Sequence, residues 1–70
     1  MNRKYTAILK EDDGWWIGWI EEVRGVNCQE STREELVISL KEALLEALEF
    51  NRSDAVSAAG TGFEELEIAV

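Results

Sequence analysis

Paired carboxylates are the most frequent residues in this chain that could carry chemistry. Glutamates stand side by side in three places, at Glu21-Glu22, Glu34-Glu35 and Glu64-Glu65. Two carboxylates act as general acid and base only when they face the same substrate. Sequence neighbours point to opposite faces of a strand and do not face each other on a helix. The spacing therefore predicts solvated surface residues and no catalytic pair.

Cys28 is the single cysteine, and the chain contains no histidine. A nucleophilic thiol or hydroxyl needs a neighbouring base, so neither Cys28 nor any serine has the usual activating partner. No glycine-rich phosphate loop or metal-ligand spacing is present in the sequence. We expect no enzymatic activity, no metal and no cofactor, and we expect Cys28 to be a small apolar residue of a short strand.

The tryptophans are the other conspicuous group, because all three lie within Gly14-Trp-Trp-Ile-Gly-Trp-Ile20. On a strand, Trp15, Ile17 and Trp19 point to one face, while Trp16 and Ile20 point to the other. Such a strand has two apolar faces, and each of them needs a cover.

The elements that hold these residues are predicted as a meander of three strands. Tyr5–Leu9 is rich in β-forming residues, and Glu11–Gly14 supplies a turn before the tryptophan strand. After a break at Arg24-Gly25, the stretch Val26–Gln29 alternates apolar with polar residues, as a short half-buried strand does.

A helix and a last strand are predicted to follow. Thr32 and Glu35 have the spacing of a capping box, so the helix should begin near residue 33 and end near Phe50. Its apolar stripe is Leu36, Leu40, Ala43, Leu44, Ala47 and Leu48. Residues 51–62 have the composition of a loop, and Leu66, Ile68 and Val70 alternate with polar or small residues. The predicted order is βββαβ, an α+β domain over residues 1–70 with an antiparallel sheet and one helix on one face.

Composition limits the partners. The net charge of -8 and pI near 4.3 oppose binding to a phosphate backbone, so we expect no direct contact with nucleic acid. No apolar run reaches the roughly 20 residues of a membrane span, and the first residues lack the apolar core of a signal peptide. We expect a cytoplasmic protein with no membrane contact.

The uncovered sheet face predicts self-association. A helix is about 10 Å wide and strands lie about 4.8 Å apart, so one helix covers about two strands of one face. A second copy is the simplest cover for the other face, and we expect a homodimer or a pair of dimers. The alternative is that long polar side chains fold over the tryptophans.

The middle of the chain resembles the HicB-like antitoxin family. The resemblance covers residues 5–50 and is carried by Gly14–Ile20, Arg24–Thr32, Glu34-Glu35-Leu36 and Lys41-Glu-Ala-Leu44. It implies a fold like that of HicB and of double-stranded-RNA-binding domains, here as a stand-alone unit without a DNA-binding extension, so operator binding is not expected.

The same resemblance implies an acidic protein that pairs with, and neutralises, a small basic RNA-cleaving toxin. Within this sequence the partner-binding residues would be Trp15, Trp19, Glu21 and Glu22, as apolar anchors with an acidic rim. Two other roles stay open: a homo-oligomeric domain with no toxin partner, and a small-molecule-binding module that uses the tryptophan face.

Overall fold

The chain folds into a three-stranded antiparallel sheet followed by one helix, an α+β arrangement. The computed structural model describes residues 4–69. Strand β1 is Ala7–Asp12, β2 is Trp15–Ile20 and β3 is Asn27–Glu30, and helix α1 is Arg33–Ala59. The order β1-β2-β3 confirms the predicted meander, although β1 extends beyond Leu9 to the turn.

A two-residue turn connects β1 to β2. Asp12 pairs with Trp15, and the intervening Asp13 and Gly14 have φ angles of 53° and 83°. Positive φ at both central residues is the conformation that matches the twist of a tight hairpin, and Asp-Gly is one of the pairs that adopt it most readily. The turn fixes the register in which every β2 side chain meets β1.

The core lies between α1 and one face of the sheet. Its buried members are Ile20, Val26, Leu36 and Leu40. Around them pack Tyr5, Leu9, Trp16, Val23, Cys28, Ala43, Leu44 and Ala47. The helix thus covers the Trp16 and Ile20 side of β2, mainly over β2 and β3. The predicted apolar stripe is confirmed from Leu36 to Ala47, whereas Leu48, its last predicted member, is not part of the core cluster.

The N-terminus of α1 has the predicted threonine cap. The Thr32 hydroxyl oxygen accepts a hydrogen bond from the Glu35 backbone N–H at 3.1 Å, which satisfies one of the free amides of the first turn. The Glu35 carboxylate accepts hydrogen bonds from the hydroxyls of Thr32 and Ser31, at 3.0 and 3.2 Å. These contacts start the helix at Arg33.

The predicted end of the helix near Phe50 was wrong, because α1 continues to Ala59. Residues 51–59 contain neither proline nor glycine, and they include three alanines, which have the highest helix propensity. The helix ends at Gly60, which has a φ of 72° and donates its backbone N–H to the Val56 carbonyl at 3.2 Å. Residues 51–59, which were predicted to be part of a loop, therefore form the last turns of a helix of 27 residues.

The predicted fourth strand is not formed in the described residues. Residues 63–69 have no regular secondary structure, and Val70, the last residue of that prediction, lies outside the described range. A strand exists through hydrogen bonds to a neighbouring strand, and the long helix takes this segment past the end of the sheet. The order over residues 4–69 is βββα.

Candidate functional site

The face of the sheet opposite the helix carries four apolar side chains together with four polar or charged ones. We call it the open face, and its residues are Ile8, Lys10, Asp12, Trp15, Ile17, Trp19, Asn27 and Gln29. Residues directly opposite each other in an antiparallel pair share a face, which assigns these residues from the strand register. Trp15 is 49% exposed and Trp19 41%, whereas Ile20, on the helix side, is 6% exposed. The predicted alternation of the tryptophan strand is confirmed.

The two tryptophans stand at the two ends of this face. Trp19 is four positions after Trp15 along β2, which corresponds to about 13 Å in an extended strand. Ile17 fills the space between them and is half-buried. Ile8 lies opposite Trp19 on β1 and is 37% exposed, so it extends the apolar surface towards the edge of the sheet.

Glu21 and Glu22 follow Ile20, the last residue of β2, at the Trp19 end of the open face. The Glu21 backbone N–H donates to the Thr6 carbonyl at 2.9 Å, and the Glu22 carboxylate accepts from the Thr6 backbone N–H at 2.7 Å. This hydrogen bond from Thr6 lowers the pKa of Glu22 below its ordinary value. The structure thus brings Trp15 and Trp19 together on one face with Glu21 and Glu22 at its end, and it gives Glu22 a structural contact as well.

Six of the eight open-face residues were missing from the partner-binding set predicted from the sequence, and three of those six are apolar or acidic. Ile8 and Ile17 add apolar area, and Asp12 adds a carboxylate opposite Trp15. The alternation of β2 was enough to assign Ile17 to this face, whereas the assignment of Ile8 and Asp12 required the hairpin register. The Asp13-Gly14 pair was the signal that could have supplied that register, because a two-residue turn there pairs Asp12 with Trp15.

The candidate catalytic groups are separated in the structure. Cys28 is half-buried on the helix side of β3, and burial, with a smaller effect of the Glu30 charge, raises the pKa of its thiol. A raised pKa lowers the thiolate fraction at neutral pH. In two of the glutamate pairs, one member has a structural contact: Glu35 accepts from the Thr32 hydroxyl at the helix N-terminus, and Glu65 pairs with Arg52. Across residues 4–69 no group of three metal-ligating side chains lies close enough to hold a metal ion.

The second half of α1 carries a shallow groove that is lined by Glu46, Glu49, Phe50 and Ser53, with a volume of about 320 Å³. Phe50 is 68% exposed there. This groove contains none of the open-face residues. In the described part of the chain, no helix is both long enough and apolar enough to cross a membrane.

Comparison with known proteins does not assign this chain to a family. No family model, no curated protein and no solved structure matches this chain.

Proposed function

We propose that the open face is a protein-binding surface. The observation that carries this proposal is the exposure of Trp15 and Trp19 on the one sheet face that α1 leaves uncovered. A continuous apolar patch with polar residues around it is typical of protein interfaces, and tryptophan is enriched among the residues that contribute most to binding energy. Lys10, Asn27 and Gln29 supply polar neighbours for such a patch.

The charge near this face favours a basic partner. Asp12 and Asp13 lie beside Trp15 at the hairpin end, and Glu21 and Glu22 follow Trp19 at the other end. The chain as a whole has a net charge of -8. Opposite charge speeds diffusional encounter and disfavours partners of the same sign. Two copies of this chain that met face to face would bring acidic groups together, so the open face suits a different protein better than a second copy.

The resemblance to HicB-like antitoxins supplies a specific partner. A small basic toxin that cleaves RNA has the required charge, and an acidic protein bound to it would block its access to RNA. We therefore propose an antitoxin-type role in the cytoplasm, where such a toxin meets its substrate. A small-molecule role is less suited to this surface, because ligand sites are concave and the grooves along α1 and the segment after it contain no open-face residue.

Inhibition of RNA cleavage tests this role. The probe is the product of the gene next to the one that encodes this chain, purified and mixed with a labelled RNA. We expect that product to be basic and to cleave RNA, and we expect one equivalent of this protein to stop the cleavage. The double variant Trp15→Ala, Trp19→Ala should fail to stop it.

The matched control is Phe50→Ala, which removes an exposed aromatic side chain far from the open face. It should inhibit as well as the parent protein. The proposal is wrong if the neighbouring gene encodes no basic protein, or if the double tryptophan variant, shown to be folded by circular dichroism, inhibits as well as the parent.

A further inference from the structure

The segment after the helix has the side-chain pattern of a strand but no strand beside it in the described residues. Leu66 and Ile68 are 76% and 74% exposed and are not part of the core cluster. Glu65 and Glu67 alternate with them. Alternation of period two is the signature of a strand with one apolar face, so this segment has the sequence of a strand that lacks a partner.

The long helix keeps most of this segment away from the chain's own sheet. Helix residues as far as Ala47 pack on the core, and the 12 further residues to Ala59 add about 18 Å. A solvent-exposed ion pair between Arg52 and Glu65 lies between the second half of the helix and the start of the segment, and a pair of this kind contributes little to stability. Phe63 also packs near Val56 and Ala59, beyond the end of the sheet.

The free edge of β1 offers the hydrogen bonds that this segment lacks. Thr6 and Glu21 form a hydrogen-bonded pair, and such pairs alternate along an antiparallel ladder. The backbone groups of Ala7, Leu9 and Glu11 therefore point away from β2 and outward from the sheet. By the same alternation from the Ile20 to Val26 hydrogen bond, β3 presents only Asn27 and Gln29 outward.

Length and helix position favour the β1 edge over the β3 edge. β1 has six residues and β3 has four. The helix packs mainly on β2 and β3, so it leaves space beside β1 for another strand.

The dimensions of the chain indicate that it is not a closed globule by itself. Its accessible surface is 6061 Å², whereas a compact monomer of 7.9 kDa has about 4,400 Å². Its radius of gyration is 15.1 Å, against about 11 Å for a compact domain of 70 residues.

We propose that two copies of this chain exchange residues 63–69, so that the segment of each copy pairs with the outer edge of β1 in the other. A reciprocal exchange of this kind is a closed two-fold dimer, in which each copy gives and receives one strand. It uses the sheet edge and leaves the open face free for a different protein. It therefore stands or fails independently of the proposed function.

Solution mass tests the exchange first. Sedimentation equilibrium of the full chain at micromolar concentration should give twice the monomer mass, and a chain that ends after Gly62 should give the monomer mass. A monomeric full chain overturns the proposal, and so does a shortened, folded chain that remains a dimer. If the shortened chain does not fold, proline substitutions within residues 65–69 of the full chain test the exchange instead.

Proline substitution at residues 65–69, one at a time, tests strand pairing within the segment. Only alternate residues of an added strand donate their amides to the edge, so proline should weaken the dimer at every second position and be tolerated between them. We expect the dimer dissociation constant to rise at least about tenfold at the sensitive positions. Equal effects at all five positions, or no effect at any, would show that no strand forms there.

A matched pair of edge variants identifies the acceptor strand. Ala7→Pro removes an outward amide from β1, and Gln29→Pro removes one from β3, and neither amide serves the chain's own ladder. Ala7→Pro should weaken the dimer at least about tenfold, and Gln29→Pro should leave it unchanged. The reverse result would place the segment on β3 and overturn the assignment to β1.

Discussion

Gly18 lies directly beneath Leu40, and a Cβ atom at Gly18 would come within 3.0 Å of Leu40 Cδ1. The same atom would lie 2.8 Å from the Ile8 carbonyl oxygen and 3.1 Å from Leu36 Cδ2. The missing side chain lets the helix approach β2 on the side of Trp16 and Ile20. This close approach determines which tryptophans are covered and leaves Trp15 and Trp19 on the open face.

Gly18→Ala should therefore destabilise the fold. The added methyl group meets a backbone oxygen that cannot move without disturbing the β1–β2 ladder, so we expect a loss of about 2 kcal/mol in the free energy of unfolding, as in other overpacked cores. Urea denaturation followed by tryptophan fluorescence measures it. Gln29→Ala, on an exposed side of β3, is the control and should change little. A Gly18→Ala protein as stable as the parent would mean that the helix does not pack this closely.

The three tryptophans should differ in their contribution to stability. Trp16 packs against the core, and Trp16→Ala should cost about 2 kcal/mol or more, whereas Trp15→Ala should cost less than half as much because Trp15 is 49% exposed. Urea denaturation of the single variants, followed by circular dichroism, gives the comparison. Equal losses for Trp15 and Trp16 would contradict the assignment of the two faces.

The helix cap gives a third prediction. Thr32→Ala removes the hydroxyl that accepts from the Glu35 amide, and the usual cost of such a loss is about 1 kcal/mol. Ser31→Ala is the matched control, since Ser31 donates only to the Glu35 side chain and should cost less than about 0.5 kcal/mol. Thermal unfolding of both variants separates them. A larger loss for Ser31→Ala than for Thr32→Ala would show that the helix begins differently.

The Glu22 contact predicts a specific pH dependence. Its pKa is lowered below the ordinary value of 4.5 because the carboxylate accepts from the Thr6 backbone N–H. A lowered folded-state pKa stabilises the fold above pH 4.5, and this stabilisation is lost as the pH falls through the folded-state pKa. The free energies of unfolding of the parent and Glu22→Gln proteins should differ above pH 4.5 and become equal once the pH is below the folded-state pKa of Glu22.

Urea titrations at a series of pH values measure this convergence. Glu21→Gln is the control, because the Glu21 carboxylate takes no part in the contact with Thr6. If the Glu22→Gln difference stays constant through the acid range, the charge of Glu22 does not support the Thr6 contact.

The local parts of this fold were predictable from the sequence, and the parts that depend on distant partners were not. The alternation around Ile17 and the cap at Thr32 follow from short-range geometry, so the three-strand meander and the start of the helix were predicted correctly. The end of the helix was not, because small polar residues such as Ser53 and Asp54 suit a loop and a helix nearly equally. Leu66 and Ile68 have strand alternation, but a strand also needs a neighbour, which the sequence does not specify.

The candidate site, too, could be predicted from the sequence only in its local features. Trp15 and Trp19 were assigned to one face from their spacing alone. Which face the helix would cover depended on Gly18, whose significance appears only once Leu36 and Leu40 are placed above it. The contribution of Ile8 depended on the hairpin register.

Calorimetric titration of the neighbouring gene's basic product into this protein is the most direct test of whether the open face binds a basic protein. We predict tight binding by the parent and by Phe50→Ala, and an affinity at least about a hundredfold weaker for the double variant Trp15→Ala, Trp19→Ala, since each central aromatic anchor contributes about 2 kcal/mol or more. Equal affinities for all three proteins would show that the open face is not the binding surface.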